Sequence, residues 1–414
     1  MTAEGSAAPT GMNLDPMTLL GSGGRRQQIA TTILAIVLGV VLGGVLIIVA
    51  ALLQGRGFLP GLPLEAYRAM LDGSFLCAKG FAKDAWTCKE GGLLDLKALG
   101  NTLNVATPLT LAGLSVAFGF RAGLFNIGAQ GQFLVGAFVA AVVGSTPILT
   151  GPLHVVLALA AGMLGGAAWG FIPGLLKAWR GAHEVVVTIM LNYVAYLILN
   201  WLASSQSMFR DPSASLPRTR EALPDAQLPI MIPDTKAHLG YLVALGTVFA
   251  IWFLLFRTTL GFEIRTVGIN AFAAKYAGIR TAFIAVLTMS IAGGLAGLGG
   301  AAELLGVVKG YPAEFLTNYG FDAIAVALLA RAHPIGVVGS ALLFAALRAG
   351  AGTMARAADM PADIIVIIQA LIILFVAAEV VLRRLLPGIR RRKPRLPVRV
   401  GARNVVGGRA ERPG

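Results

Sequence analysis

The amino-acid sequence predicts an all-α membrane protein that crosses the bilayer about eight to ten times. Of its 414 residues, 56% are hydrophobic and only 13% are charged, whereas soluble domains carry about a quarter charged residues. The hydrophobic residues also form runs of about twenty, the length at which a helix rising 1.5 Å per residue crosses a hydrocarbon core of roughly 30 Å. These observations exclude a soluble enzyme, a disordered chain and a small disulfide-stabilised domain.

Apolar segments in chain order are the expected membrane spans. They are residues 28–53, 100–120, 123–145, 152–176, 185–203, 239–256, 282–303, 318–331, 335–351 and 363–382. The eighth and ninth are short, so either could be a half-helix, a re-entrant segment or part of one bent helix. We therefore assign residues 28–382 to a single transmembrane domain.

The segments that flank this domain are polar and are expected to lie in the cytoplasm. Residues 1–27 predict a disordered arm, and residues 383–414 form a basic tail that contains Arg390–Lys393. Lys and Arg concentrate in the cytoplasmic loops of membrane proteins, and placing both termini inside puts the basic excess on that side. Topology and anionic lipid headgroups therefore account for the net charge of +14 without a nucleic-acid partner.

Three connections are long enough to have roles of their own. Residues 54–98 and 204–238 are expected outside, and residues 257–281 form a cytoplasmic loop. The first contains Cys77 and Cys88, which could form a disulfide in an oxidising compartment or remain two free thiols. The second is rich in proline and charge, which indicates an irregular surface loop that could face a partner.

The sequence contains no pattern that predicts catalysis. Its four histidines are far apart, and no G-x-x-x-x-G-K-[ST] loop is present to hold ATP phosphates. We therefore expect no metal site, no cofactor and no enzymatic activity in this chain. If ATP powers transport, another subunit must hydrolyse it.

Amides and glycines interrupt the start of the third span. Residues 123–133 read GLFNIGAQGQF and carry Asn126, Gln130 and Gln132. Buried amides cost free energy unless they are hydrogen-bonded, and broken helices of this kind often line substrate paths. Two readings stay open: a path for a neutral polar solute, or a helix contact whose amides bond neighbouring backbone.

Other polar residues also lie within the expected spans. Thr188 and Asn192 are four residues apart and share one helix face, which should look toward protein or a cavity. Asp322 is the strongest functional candidate among the charged residues, and Arg348 could pair with an acid that the sequence does not identify. The remaining acids are Glu303, in a span, and Asp363 and Glu379, which lie near span ends where side chains reach water.

The cytoplasmic loop contains a short stretch with its own start and stop signals. Asn270 is a good N-cap, the run that includes Ala274 and Lys275 favours helix, and Gly278 is a C-terminal stop. The loop therefore predicts a two-turn helix between two spans. An ordinary amphipathic connector would give the same pattern.

Four segments together resemble the permease subunit of bacterial ABC importers in the branched-chain amino-acid and sugar permease superfamily, most nearly its nucleoside and simple-sugar branch. They are residues 123–133, 184–193, 261–280 and 321–343, and the resemblance covers about residues 100–380. The family often has Glu where this chain has Gln130.

The resemblance implies an all-helical, type II-like importer fold in a bacterial cytoplasmic membrane, carrying nucleosides or related simple sugars. Residues 261–280 would couple to a separate ATPase that holds ATP and Mg, through Gly261, Arg265, Gly268, Asn270, Ala274 and Gly278. A second permease and an extracytoplasmic substrate-binding protein would complete the importer. The alternative is an ion-coupled secondary transporter of a small polar solute, which needs no ATPase.

Overall fold

A computed structural model of the chain describes residues 25–75, 95–204, 208–315, 317–359, 361 and 363–377. Several expectations from the sequence fall on other residues. The arm up to residue 24, Cys77 and Cys88, Glu379 and the basic tail all lie outside the described residues.

The described ranges form thirteen α-helices. They are α1 Arg25–Leu53, α2 Leu62–Asp72, α3 Leu96–Arg121, α4 Ala129–Ser145, α5 Pro152–Arg180, α6 Glu184–Ser204, α7 Gly240–Arg257, α8 Thr259–Ile269, α9 Ala271–Tyr276, α10 Thr281–Glu303, α11 Tyr319–Leu329, α12 Pro334–Ala358 and α13 Ile364–Ala377. A π-helical turn, Leu304–Val308, continues α10, and Pro224–Ala226 form a 3₁₀ turn.

These helices confirm the spans that the hydropathy pattern predicts. Within the described ranges, 7 helices are long and apolar enough to cross a membrane, and three shorter apolar helices occupy the other predicted positions. The eighth span is a half-helix, α11, whereas the ninth is a full helix of 25 residues, α12. The tenth predicted span extends past the last described residue.

Two helices lie where the sequence analysis expects loops. The amphipathic helix α2 buries Leu62, Ala66 and Met70, spaced by four residues, and packs beside α12. The helix α8 occupies the first half of the expected cytoplasmic loop. Both carry polar residues on the face opposite the buried one, and a search for long apolar runs passes over such helices.

Direct backbone contact holds the centre of the bundle together, where α4, α5 and α10 meet. A Cβ atom built on Gly136 of α4 would lie 2.2 Å from the Cα of Gly297 in α10, and one built on Gly166 of α5 would lie 2.6 Å from the same Cα. We call these three residues the glycine contact. Small residues let membrane helices approach this closely and gain packing along their whole length.

The bundle has two ends. The α9 end carries α8, α9 and the end of α3. The loop end carries residues 208–238, which pair with the segment after α10: the Thr219 amide donates to the Tyr311 carbonyl at 2.9 Å, and the Ala222 amide donates to the Lys309 carbonyl at 2.7 Å. His238 is buried in this loop beside Gly306, and burial lowers its pKa to about 4.

The glycine contact predicts opposite effects for two glycine-to-alanine changes. Gly136→Ala forces α4 away from α10 because backbone atoms cannot move aside, and we expect a loss of about 1–3 kcal/mol of stability. Gly246→Ala in α7 meets nothing within 4 Å, so the better helix former should leave stability equal or raise it by up to ~1 kcal/mol. Melting curves of the purified protein in detergent measure both, and equal melting temperatures would contradict the contact.

Candidate functional site

Helix α4 begins inside the bundle rather than at its end. Helix α3 ends at Arg121, and residues 122–128 form an irregular turn in which Gly123 has a φ of +71°. The amide of Gly131 then donates to the Asn192 side chain at 2.8 Å. Asn192 lies roughly 12 Å along α6 from its first residue at 1.5 Å per residue. The third predicted span is therefore a turn followed by a shorter helix.

The Asn126 and Gln132 side chains form a closed, buried pair. The Asn126 amide donates to the Gln132 oxygen at 2.8 Å, and the Gln132 amide donates back to the Asn126 oxygen at 3.2 Å. Asn126 also lies 3.3 Å from the Ser115 hydroxyl of α3. The pair ties the turn to the first part of α4 and to the buried centre of α3.

The predicted polar face of α6 packs on this same turn. The Asn192 amide donates to the Ile127 carbonyl at 3.0 Å while its oxygen accepts from Gly131. Thr188 is fully buried against Gly128, and its hydroxyl donates to the Val185 carbonyl at 3.1 Å. This face of α6 therefore looks toward protein, as the sequence predicts.

Gln130 joins α4 to the start of α11. The Gly320 amide donates to the Gln130 side-chain oxygen at 2.8 Å, and the Gln130 amide group donates to the Thr317 carbonyl. A Cβ atom built on Gly320 would lie 2.3 Å from the backbone of Gln130. Gln130 is thus an N-terminal cap for α11 supplied by another helix, and α11 also begins inside the bundle.

Asp322, in the first turn of α11, forms the ion pair that the sequence leaves open for Arg348. The Arg348 guanidinium donates to the Asp322 carboxylate at 3.1 Å and lies 4.8 Å from the centre of the Tyr319 ring. On the surface of the single chain, the Asp322 side chain is 34% exposed and the Arg348 side chain is 41% exposed. Because an ion pair facing lipid is costly, this surface should face protein or water.

The structure therefore separates the predicted substrate-path residues into two groups. Asn126, Gln130, Gln132, Thr188 and Asn192 come together around the start of α4, and the hydrogen bonds of their side chains go to other protein groups. That geometry favours the second of the two readings that the sequence leaves open for the amides. Asp322 stands apart, with part of its surface free.

The short helix predicted in the loop 257–281 is confirmed as α9, Ala271–Tyr276. The Asn270 side chain accepts from the Ala273 amide at 3.0 Å, and Gly278 ends the segment with a φ of +83°. Phe272 and Tyr276 are 81% and 95% exposed, whereas Ala274 is fully buried against its own chain. The exposed surface of α9 therefore carries these two aromatic rings together with Lys275, and it does not include Ala274.

Two glycines of α8 are packing positions. Gly261 lies against the α7 backbone, and a Cβ on Gly268 would lie 2.2 Å from the carbonyl oxygen of Arg121. Gly123, in the turn before α4, also lies against Gly268, with its ideal Cβ 3.2 Å from the Gly268 Cα. We call this the Gly123–Gly268 contact; it joins α8 directly to the turn that holds the amides.

Arginine and aromatic side chains surround this contact, and sequence reasoning identifies only one of them. The guanidinium groups of Arg265 and Arg121 lie 5.2 Å and 5.6 Å from the centre of the Phe256 ring. Arg121 also donates to the Ala332 carbonyl at 2.7 Å, which ties α3 to the turn before α12. Among the described residues, no group of three or more His, Cys, Asp or Glu side chains could hold a metal ion.

Comparisons with known proteins agree on one family. Residues 98–377 match the family model described as branched-chain amino acid transport system, permease component. The guanosine ABC transporter permease protein NupP of Bacillus subtilis is 39% identical over 76% of this chain and 89% of its own length. The nucleoside ABC transporter permease protein NupB of Lactococcus lactis is 34% identical over 70% of this chain and 82% of its own.

A sugar transporter component is similar to the same degree. The glucose ABC transporter permease protein TsgB13 of Haloferax volcanii is 35% identical over 69% of this chain and 77% of its own length. No solved structure matches the chain significantly.

The cap that Gln130 provides predicts a graded response to substitution. Gln130→Leu leaves the Gly320 amide without its acceptor, which should cost about 1–3 kcal/mol. Gln130→Glu keeps an acceptor beside the N-terminus of α11, where the helix dipole favours a carboxylate, and should cost less. Melting temperatures in detergent measure the stability of both variants, with Gln54→Leu at an exposed position as the control. A Gln130→Leu variant as stable as that control would rule out the cap.

Proposed function

Because the chain belongs to the family of branched-chain amino acid transport system permease components, we propose that it forms the membrane pathway of an ABC importer for nucleosides. The observation that carries the proposal is the 39% identity to a guanosine permease across 76% of the chain. The apolar helices make the chain a multi-pass membrane protein. As a permease subunit it is not itself an enzyme, and a separate ATPase would hold ATP and Mg.

The solute in this proposal is a nucleoside, with a simple sugar as the second candidate. NupP and NupB carry guanosine and nucleoside in their names, whereas TsgB13 carries glucose. Nucleosides and sugars share hydroxyl groups that donate and accept hydrogen bonds, so one polar pathway could suit both classes. The two relatives named for nucleosides make that class the first to test.

The ATPase would dock on α9, which would place the α9 end in the cytoplasm together with both chain termini. Support comes from Phe272 and Tyr276, which offer a compact aromatic surface on a short, well-capped helix. Aromatic side chains that insert into a partner's pocket are typical of residues that carry most of an interface's binding energy. Asn270 and Gly278 would fix the ends of this helix, and Ala274 would anchor it to the rest of the chain.

Movement of α9 would reach the middle of the bundle through backbone contacts. Helix α8 directly precedes α9 in the chain and meets the turn before α4 at the Gly123–Gly268 contact. Asn126 and Asn192 fix that turn to α4, and Gln130 fixes α4 to α11. We infer that these amides are positioning residues, which carry a displacement from α8 to the helix that bears Asp322.

The remaining partners would meet the other surfaces. A substrate-binding protein would dock on the loop end, where residues 208–238 pair with the segment after α10. A second permease, identical or paralogous, would cover the surface that carries the Asp322–Arg348 ion pair. In this arrangement the solute passes between the two permeases, and ATP-driven rigid-body motion opens each side in turn.

Uptake by cells with and without the gene tests the function. We expect deletion to abolish uptake of labelled guanosine, and uptake in the parent strain to persist when the proton gradient is collapsed while ATP is maintained. Labelled uridine and glucose are the comparison solutes. Loss of glucose uptake alone would move the importer to sugars.

The same assay separates the importer from the ion-coupled alternative. Uptake that stops when the proton gradient collapses despite ample ATP would indicate a secondary transporter and would contradict the role of α9. Uptake that follows ATP would support the importer.

Changes to the exposed face of α9 test the docking surface. We expect Phe272→Asp with Tyr276→Asp to reduce co-purification of the ATPase at least tenfold, a loss of about 1.4 kcal/mol or more, because each aromatic should be an anchor. Phe272→Leu, which keeps an apolar side chain, should retain most of the co-purified ATPase. Trp179→Asp, also exposed but in the last turn of α5, is the matched control; an equal loss there would contradict docking at α9.

A further inference from the structure

Glu303, the last residue of α10, is a buried acid that none of the contacts described so far uses. The residue is 6% exposed, and its Oε2 atom is buried without a hydrogen-bond partner among the described residues. A buried polar atom without a partner costs free energy that selection removes unless the atom has another use. This atom therefore needs an explanation.

Packing contacts link the turn of α10 that carries Glu303 to Tyr319 and Arg348. The Phe133 carbonyl oxygen lies against Gly300, one turn before Glu303, and the centre of the Phe133 ring lies 5.7 Å from that of the Tyr319 ring. Tyr319 lies under the Arg348 guanidinium, which holds Asp322 at 3.1 Å. These contacts reach the point inside the bundle where α11 begins.

The backbone around Glu303 holds the carboxyl group in place. One turn earlier, α10 touches α4 so closely that a Cβ on Gly300 would lie 2.0 Å from the Phe133 carbonyl oxygen. Immediately afterwards the chain forms the π-helical turn Leu304–Val308, and π-turns inside helices occur frequently at functional sites. The carboxyl group thus projects from a rigid, closely packed position.

We propose that Glu303, Tyr319, Asp322 and Arg348 form a binding station for a neutral, hydroxyl-bearing solute on its way through the membrane. The inference rests on the proposed function and names the side chains that such a solute would meet. The unpaired Glu303 oxygen is closed off from solvent in this conformation. When rigid-body motion opens the site, it accepts a hydrogen bond from a solute hydroxyl or N–H group. The exposed parts of Asp322 and Arg348 offer a further acceptor and further donors.

The same side chains disfavour a phosphorylated solute. A phosphate group binds best to an uncommitted guanidinium, but Arg348 is already paired with Asp322. A nucleotide would have to break that pair and place its negative charge beside the Asp322 carboxylate. The station therefore suits a nucleoside and rejects its monophosphate.

Binding to the full-length chain, reconstituted with its second permease in lipid nanodiscs, tests the station directly, without the binding protein that would otherwise dominate recognition. Saturation-transfer NMR detects weak ligands, and guanosine and guanosine 5′-monophosphate are the probes. We expect a signal from guanosine and at most a fifth of it from the monophosphate. Glu303→Leu should reduce the guanosine signal at least fivefold, and Glu303→Gln, which still forms hydrogen bonds, should reduce it less.

Glu65→Leu is the matched control, because Glu65 is an exposed acid on α2, away from the station. A wild-type guanosine signal in Glu303→Leu, or equal signals from guanosine and its monophosphate, would overturn the proposal. If the Leu variant does not fold, the contrast between the two probes and the response of Glu303→Gln still decide the matter. An unchanged Glu303→Gln signal together with equal binding of both probes would also overturn it.

Failure of the station and failure of the proposed function give different results. If gene deletion leaves guanosine uptake intact while guanosine binding still depends on Glu303, the proposed function is wrong and the station stands. If uptake depends on the gene but Glu303→Leu binds guanosine normally, the importer stands and the station is wrong.

Discussion

The structure depends on hydrogen bonds to two helix N-termini that lie inside the membrane-spanning bundle. The first amides of a helix have no partner within it, and lipid offers them none. Here Asn192 accepts from the start of α4, and Gln130 accepts from the start of α11. These two side chains allow α4 and α11 to begin inside the bundle, so its interior can contain broken helices and polar groups. The donors of both amide groups are also used, at the Ile127 and Thr317 carbonyls.

Close packing of the helices is also required, because the hydrogen bonds to the buried N-termini form only at short range. A side-chain amide is short, so Gln130 can reach the start of α11 only because Gly320 lets the two backbones touch. The glycine contact does the same for α4, α5 and α10. As a result, polar groups buried inside the bundle lie next to several helices. Close helix packing is therefore what lets these groups find hydrogen-bond partners.

Much of this architecture could be predicted from the sequence, for reasons that differ between elements. The spans follow from hydropathy because a long apolar helix is stable only where it avoids water. Helix α9 follows from Asn270 and Gly278, whose effects on a helix end are local. The sequence could not identify the partner of Arg348, because Asp322 lies on another helix and pairing depends on how helices cross.

The amides of residues 123–133 were recognised as unusual, but the sequence could not show which groups they hydrogen-bond. Helix α2 was missed because half of its surface is polar.

The Gly123–Gly268 contact also limits how this chain can change over time. No side chain separates α8 from the turn before α4, so neither backbone can shift without displacing the other, and any larger residue at position 268 would meet the Arg121 carbonyl. Substitutions on the two segments are thus not independent: a change that tilts one must be matched by a change in the other. We therefore expect the two segments to evolve together. A chimaera that takes α8 and α9 from a relative must take residues 121–128 from the same source.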